Sequence, residues 1–192
     1  MNNYSDDIHA ATEVLRRGGL ILYPTDTIWG IGCDATNSEA VRRVFEIKKR
    51  SDAKALITLV GSEGALERTV EEVPEVAWQL IEYSDRPLTI VYDKAAPVIA
   101  PELSAEDGSI GVRITREEFS QALCRAFGKP LVSTSANISG MPSPGCFAEI
   151  DPAIISAVDY VCTSRRDDAP GSGRPSTIMR LSAGGLFKII RS

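Results

Sequence analysis

Hydrophobic positions along the chain alternate between helical and strand-like spacing. Ile8, Ala11, Val14 and Leu15 recur at helical intervals behind Ser5-Asp6-Asp7, a capping hydroxyl followed by two first-turn carboxylates, and Gly18-Gly19 ends the pattern. Residues 20–23 are a short apolar run of strand length that Pro24 breaks. Residues 27–33 read as a second strand, with Gly30 and Gly32 opening one of its faces. Asn37 or Ser38 caps a helix that carries Val41, Val44 and Phe45 and closes on Lys48-Lys49-Arg50. Further strands are expected at 55–60, 88–92, 109–114, 131–134 and 160–163, with helices at 63–70, 74–83, 117–127 and 152–157. Stretches 94–108, 135–146 and 165–174 are rich in Gly, Pro and polar residues and read as loops. Two strands, 176–181 and 186–190, close the chain around a Gly184-Gly185 turn. Helices and strands alternate without strict βαβ order, and two places join strands with no helix between them. That pattern predicts an α/β fold, a mixed sheet with helices packed on it, in one domain over residues 1–192.

Composition narrows the classes. The chain has 192 residues, 43% hydrophobic and 24% charged, with 21 Lys and Arg against 26 Asp and Glu for a net charge of −5. That is the profile of an ordinary folded globule, and a chain of this length buries roughly 70% of the surface its unfolded form exposes. No apolar run approaches the ~18 residues that a membrane-spanning helix needs. The first residues, Met-Asn-Asn-Tyr-Ser-Asp-Asp, lack the basic and apolar regions of a secretion signal, so a cytoplasmic location is expected. His9 is the only histidine and falls in the first helix, where a surface position is expected. Cys33, Cys124, Cys146 and Cys162 show no Cys-x-x-Cys spacing. Neither a zinc site nor a histidine proton relay is indicated, and the cysteines are expected to be reduced and packed.

Several segments could carry chemistry. Gly30-Ile31-Gly32-Cys33-Asp34-Ala35 fits the spacing of a dinucleotide fingerprint, but its glycines sit within a strand pattern and not at a strand-to-helix turn. No P-loop is present. Lys48-Lys49-Arg50 is either a set of cations completing a helix C-terminus or a phosphate clamp. Ser133-Thr134-Ser135-Ala136-Asn137-Ile138-Ser139-Gly140 places hydroxyls and an amide directly after an apolar strand. There they either bind a ligand or cap their own backbone. The same two readings apply to Pro24-Thr25-Asp26-Thr27.

The order of these motifs is more specific than any one of them. Tyr23-Pro24-Thr25-Asp26-Thr27-Ile28-Trp29-Gly30-Ile31-Gly32, Lys48-Lys49-Arg50, Ser133 to Gly140 and Ser176-Thr177-Ile178 together closely resemble the YrdC family. The resemblance runs from about residue 20 to 191. It implies a single-domain, twisted mixed β-sheet with flanking helices around a positively lined cleft. It also implies an adenylate-forming enzyme that joins L-threonine, bicarbonate (or CO2) and ATP, with Mg²⁺ accompanying the nucleotide, into threonylcarbamoyl-adenylate and pyrophosphate. The product serves a separate transferase complex that modifies adenosine 37 of tRNAs reading codons that start with A. By motif match, Lys48 and Arg50 hold the ATP phosphates and are the catalytic pair. Ser135, Asn137, Ser143 and Arg191 line the nucleotide; Thr27, Arg113, Ser133 and Ser176 hold threonine. The pattern departs from the family at Ser51, Ala55, Leu59 and Thr115, where proline, a Lys-Pro-Leu run, histidine and proline are common. A YciO-like paralogue with another substrate or none, and a non-catalytic module binding tRNA or double-stranded RNA, are the alternatives the resemblance leaves open.

Overall fold

A computed structural model describes residues 4–49, 56–168 and 176–191. Its first helix, α1 (Ser5–Arg16), begins one residue earlier than the capping pattern predicts: Ser5 is already helical, and Tyr4 precedes it without a capping side-chain bond. The first-turn carboxylate that matters is Asp7, which turns inward. It accepts from the Tyr160 hydroxyl (2.6 Å) and from the backbone N–H groups of Thr163 (3.0 Å) and Ser164 (2.7 Å). A buried carboxylate with three donors is well satisfied, so Asp7 ties the N-terminal helix to the far end of the chain. His9 lies exposed on the same helix, and all four cysteines are free.

Strand β1 (Ile21–Tyr23) returns antiparallel as β2 (Gly30–Gly32), much shorter than the strand expected over 27–33. The Thr25 hydroxyl is the reason. It donates to the Ile28 carbonyl (2.6 Å) and accepts from the N–H groups of Thr27 and Ile28, which bends the chain through residues 25–28. Helix α2 (Ser38–Lys48) is capped by Asn37, whose side chain accepts from Glu39 and Ala40 N–H, and it ends on Lys49 in the left-handed conformation (φ 50°). Then follow β3 (Ile57–Val60), α3 (Glu63–Glu67), α4 (Glu75–Glu82), β4 (Leu88–Tyr92), β5 (Ile110–Ile114), α5 (Glu118–Phe127), β6 (Leu131–Ser135), α6 (Pro152–Ala157), β7 (Tyr160–Val161), β8 (Thr177–Leu181) and β9 (Phe187–Arg191). Two short 3₁₀ turns, Pro101–Leu103 and Phe147–Glu149, fall in stretches with no regular period.

Among the described residues nine strands form one mixed sheet in the order β7-β1-β2-β6-β3-β5-β4-β8-β9. The short connections β1 to β2 and β8 to β9 make antiparallel hairpins, while β1/β7, β3/β5 and β4/β8 run parallel. Residues paired across neighbouring strands share a face of the sheet. Arg113 pairs with Leu59, which also pairs with Leu131. Ser133 and Ser135 follow Leu131 at the two-residue period, and Ser135 pairs with Gly30, opposite Tyr23. Tyr23, Ser135, Ser133 and Arg113 therefore stand on one face, joined by Thr89 of β4 at the same period. Gly32 faces the Tyr23 ring so closely that a Cβ there would lie 2.8 Å from it. Gly32 is thus a steric allowance for a buried tyrosine, while a Cβ at Gly30 would press on the Thr134 carbonyl at 3.2 Å.

Helix α5 covers this face and rests on α1, with Tyr4 and Phe119 meeting edge to face at 5.3 Å. Glu117 starts α5 by accepting from Phe119 N (3.0 Å) and Ser120 N (2.7 Å). The buried Thr115, where the family often has proline, accepts from Glu117 N–H and completes the turn into the helix. Leu59 is fully buried beside Arg113. β9, by contrast, is exposed along its whole length.

Candidate functional site

The hydroxyl-rich stripe on the sheet face has two ends. At the first, the last residue of α2 meets the loop leaving β6. The Lys48 ammonium is buried and donates to the carbonyls of Ser135 (2.6 Å) and Asn137 (2.7 Å), with the Asn137 side-chain oxygen at 3.4 Å. The Lys48 carbonyl in turn accepts from Ser139 N–H, and the Asn137 amide donates to Ile138 O (3.2 Å) and Met141 O (2.5 Å). Charge-assisted bonds of this kind fix a loop that polar turn residues alone would leave adaptable. Of the two readings of 133–140, the self-bonding one is observed, with the addition of a lysine supplied by another element.

Six or seven ångströms along β6, at the spacing of alternate strand residues, Ser133 opens the second end. Its hydroxyl lies beside the Tyr23 phenol with no aligned hydrogen bond between them, and burial pushes that phenol well above its ordinary pKa, so it stays neutral. The Arg113 guanidinium is 2% exposed and lies 3.3 Å from the Asp26 carboxylate. The contact is out of hydrogen-bond alignment: Asp26 Oδ1 and Arg113 Nε are both buried without a hydrogen-bond partner. Burial raises the Asp26 pKa, with Glu117 pushing the same way and the guanidinium of Arg113 pulling down against them. On the other side, Ser176 is buried with its hydroxyl 3.1 Å from that of Thr89, and Arg191 donates to the Ser176 carbonyl at 3.0 and 3.2 Å. Burial and the neighbouring Arg113 together lower the Arg191 pKa. Two like charges that repel each other in this way leave a place that an anion would stabilise.

The structure thus joins Lys48, Ser135 and Asn137 in one cluster, and Ser133, Arg113, Ser176 and Arg191 in another. Thr27 sits in the 25–28 turn with its hydroxyl 3.2 Å from that of Thr25. Ser143 is exposed in the loop after β6, and Arg50 and Ser51 lie outside the described residues. Tyr23, Asp26, Thr89, Glu117 and Arg165 belong to the site neighbourhood as well. Arg165, itself left-handed (φ 62°), bridges Glu117 (3.0 Å) and the Thr25 carbonyl (3.2 Å) and so braces the turn that carries Asp26. A cavity of ≈ 230 Å³ opens beside this turn, walled by Asp26, Ile81, Leu88, Ile114, Arg116 and Glu117. It is smaller than drug-sized pockets of about 300–1,000 Å³, and Arg113, Ser133, Thr27 and Ser176 are not among the residues that wall it.

Comparison with known proteins follows the same outline. A family model covering Sua5, YciO and YrdC, described as telomere recombination, matches residues 13–192. The threonylcarbamoyl-AMP synthase of Chromohalobacter salexigens is 36% identical over 191 residues, covering 98% of this chain and all of the relative. Among solved structures, P. abyssi Sua5 complexed with L-threonine superposes with a TM-score of 0.81 at 29% identity. The match covers 91% of this chain and 50% of the Sua5 chain, so this chain spans about half of that longer protein. E. coli YciO shares the fold, with a TM-score of 0.82 at 24% identity over 96% of this chain and 88% of its own. The chain belongs to the Sua5/YciO/YrdC family.

Proposed function

We propose that this protein is a threonylcarbamoyl-AMP synthase, making L-threonylcarbamoyladenylate and pyrophosphate from L-threonine, bicarbonate and ATP for the threonylcarbamoylation of tRNA. The near full-length match to synthases of that name supports the reaction, and L-threonine bound to the Sua5 relative supports the amino acid. From the geometry, the reading rests on the buried Arg113 with its unpartnered Nε. It is a cationic seat in want of a small anion, and the threonine carboxylate is one.

In this reading Arg113, Ser133, Thr27 and Ser176 hold threonine. The loop after β6, with Ser135, Asn137 and Ser143, takes the nucleotide, with Arg191 between the two. Lys48 serves the nucleotide by fixing that loop from beneath, and Arg50 is assigned to the ATP phosphates. Attack of a carbamate oxygen on the α-phosphorus brings two anions together, so positive charge and positioning supply most of the catalysis. Among the described residues no three His, Cys, Asp or Glu side chains converge as a metal site. Mg²⁺ is assigned to the ATP phosphates, where it would offset their charge. The acceptor transferase complex, any contact with tRNA and a cytoplasmic location belong to the same proposal; no helix among the described residues is long and apolar enough to cross a membrane.

The test is pyrophosphate release from ATP and Mg²⁺ with threonine and bicarbonate each supplied or withheld. Release that requires both, with the carbamoyl-adenylate seen by mass spectrometry, is expected. Release with a different amino acid would keep the chemistry and replace the substrate, as a YciO-like paralogue would. No release from folded protein would overturn the reading.

A further inference from the structure

The carboxylates around the cavity are unequal. Both Glu117 oxygens are committed: Oε1 accepts from Phe119 N–H and pairs with Arg165, and Oε2 accepts from Ser120 N–H. Asp85 is exposed. Asp26 alone belongs both to the cavity wall and to the buried pair with Arg113, and its Oδ1 is buried without a hydrogen bond. Its turn is held from three sides, by the Thr25 hydroxyl, by Arg165 on the Thr25 carbonyl and by Ser120 on the Pro24 carbonyl. A fixed, partly dehydrated carboxylate 3.3 Å from a fixed guanidinium, each with an idle polar atom, is complementary to a zwitterion. A free amino acid carries a carboxylate and an ammonium one carbon apart.

We propose that Asp26 receives the substrate's α-ammonium while Arg113 receives its carboxylate, and that Asp26 takes the proton the ammonium must lose before its nitrogen can react. This rests on the synthase reading above. The step is RNH3⁺ with the Asp26 carboxylate giving RNH2 and the Asp26 carboxylic acid. The amine lone pair then forms the N–C bond to bicarbonate, the C–OH bond breaks, and hydroxide leaves with an amine proton as water, giving RNHCOO⁻. The groups facing Asp26 are Arg113 of β5, Tyr23 at the end of β1, Glu117 at the start of α5, Arg165 after β7, and Arg116 and Arg86 around the cavity. The raised Asp26 pKa makes it a better proton acceptor than an ordinary exposed carboxylate.

Asp26→Asn separates this role from mere support of Arg113. The forward reaction needs the ammonium deprotonated. The reverse, ATP formation from threonylcarbamoyl-adenylate and pyrophosphate, moves no ammonium proton yet still needs Arg113 in place. The expected result is a forward rate at neutral pH about 100-fold below wild type, climbing toward it as the pH rises and solution supplies the free amine, with the reverse rate within about threefold. Equal loss in both directions would make Asp26 a prop for Arg113 and overturn the proposal, as would no loss in either. Wild-type protein gives a readout independent of how the variant folds: 3-hydroxybutanoate, which lacks the ammonium, should compete with threonine at least about tenfold more weakly than threonine binds. Equal binding would overturn the zwitterion seat. Failure of the wild type to make the adenylate at all would instead overturn the synthase reading.

Discussion

At one end of the stripe Lys48 is surrounded by acceptors, and at the other Arg113 and Asp26 stand close together yet leave polar atoms unbonded. Both ends bury a cation at 2% exposure, so both bear a desolvation cost. Only the first recovers it within the protein, because its carbonyl partners are aligned. A satisfied buried charge specifies structure; an unsatisfied one is held by its surroundings for something that arrives later.

Lys48→Met should break the comparison most sharply, since it leaves the Ser135 and Asn137 carbonyls without their donor. We expect a loss of about 3 kcal/mol, read as a melting temperature lower by roughly 6–12 °C, together with loss of turnover. Arg113→Met should do the reverse. The threonine KM should rise on the order of 100-fold, while stability changes by less than about 1 kcal/mol, because Asp26 can take up a proton when its cation is gone. Matching stability losses for the two variants in urea titrations would erase the distinction between the two ends.

Asp7 offers a third, fully satisfied polar group away from the stripe. Burial opposes its charge, but bonds from Ser164, Tyr160 and Thr163 outweigh that and hold its pKa below the ordinary value. Its contribution is therefore complete above the unfolded pKa of about 3.9 and fades as pH falls through the lower folded value. Asp7→Asn should cost about 1–2 kcal/mol at neutral pH, and the urea midpoints of variant and wild type should converge as the pH falls below the ordinary carboxylate range. The smallest effect belongs to Ser143→Ala. The side chain is exposed, so stability should stay within about 0.5 kcal/mol and the ATP KM within about threefold, the worth of one solvated hydrogen bond.

Which features were legible in the sequence follows from the range of the forces involved. Period and punctuation are local, and they placed β4 and α6 at their observed limits and the other helices within a few residues. The stretch 27–33 failed as a full strand because one hydroxyl, on Thr25, captured the backbone before the sheet could. The hydroxyl loop after β6 and the Lys-Lys-Arg run were visible as candidates. That a lysine from α2 would lie beneath that loop depends on a contact across some 90 positions, which no local pattern records. Tyr23 and Thr89 look like ordinary strand residues, and only the register of six strands shows that their polar atoms line up with Ser133 and Arg113. Glu117, which the local pattern places only at the start of a helix, is engaged by Arg165 from a distant loop.

The open flank of β9 bears on how the protein behaves in a crowded solution. Phe187, Ile189 and Ile190 are each more than half exposed on a strand with no neighbour beyond it among the described residues. Such a margin invites strands from other molecules unless charge interrupts it. Lys188 and Arg191 are the interrupting charges, so Arg191 stands at once beside the candidate site and on guard over the sheet's margin. Substituting it trades solubility along with ligand affinity, and a variant lacking this arginine that precipitates as it loses activity would be failing at two tasks set by one side chain.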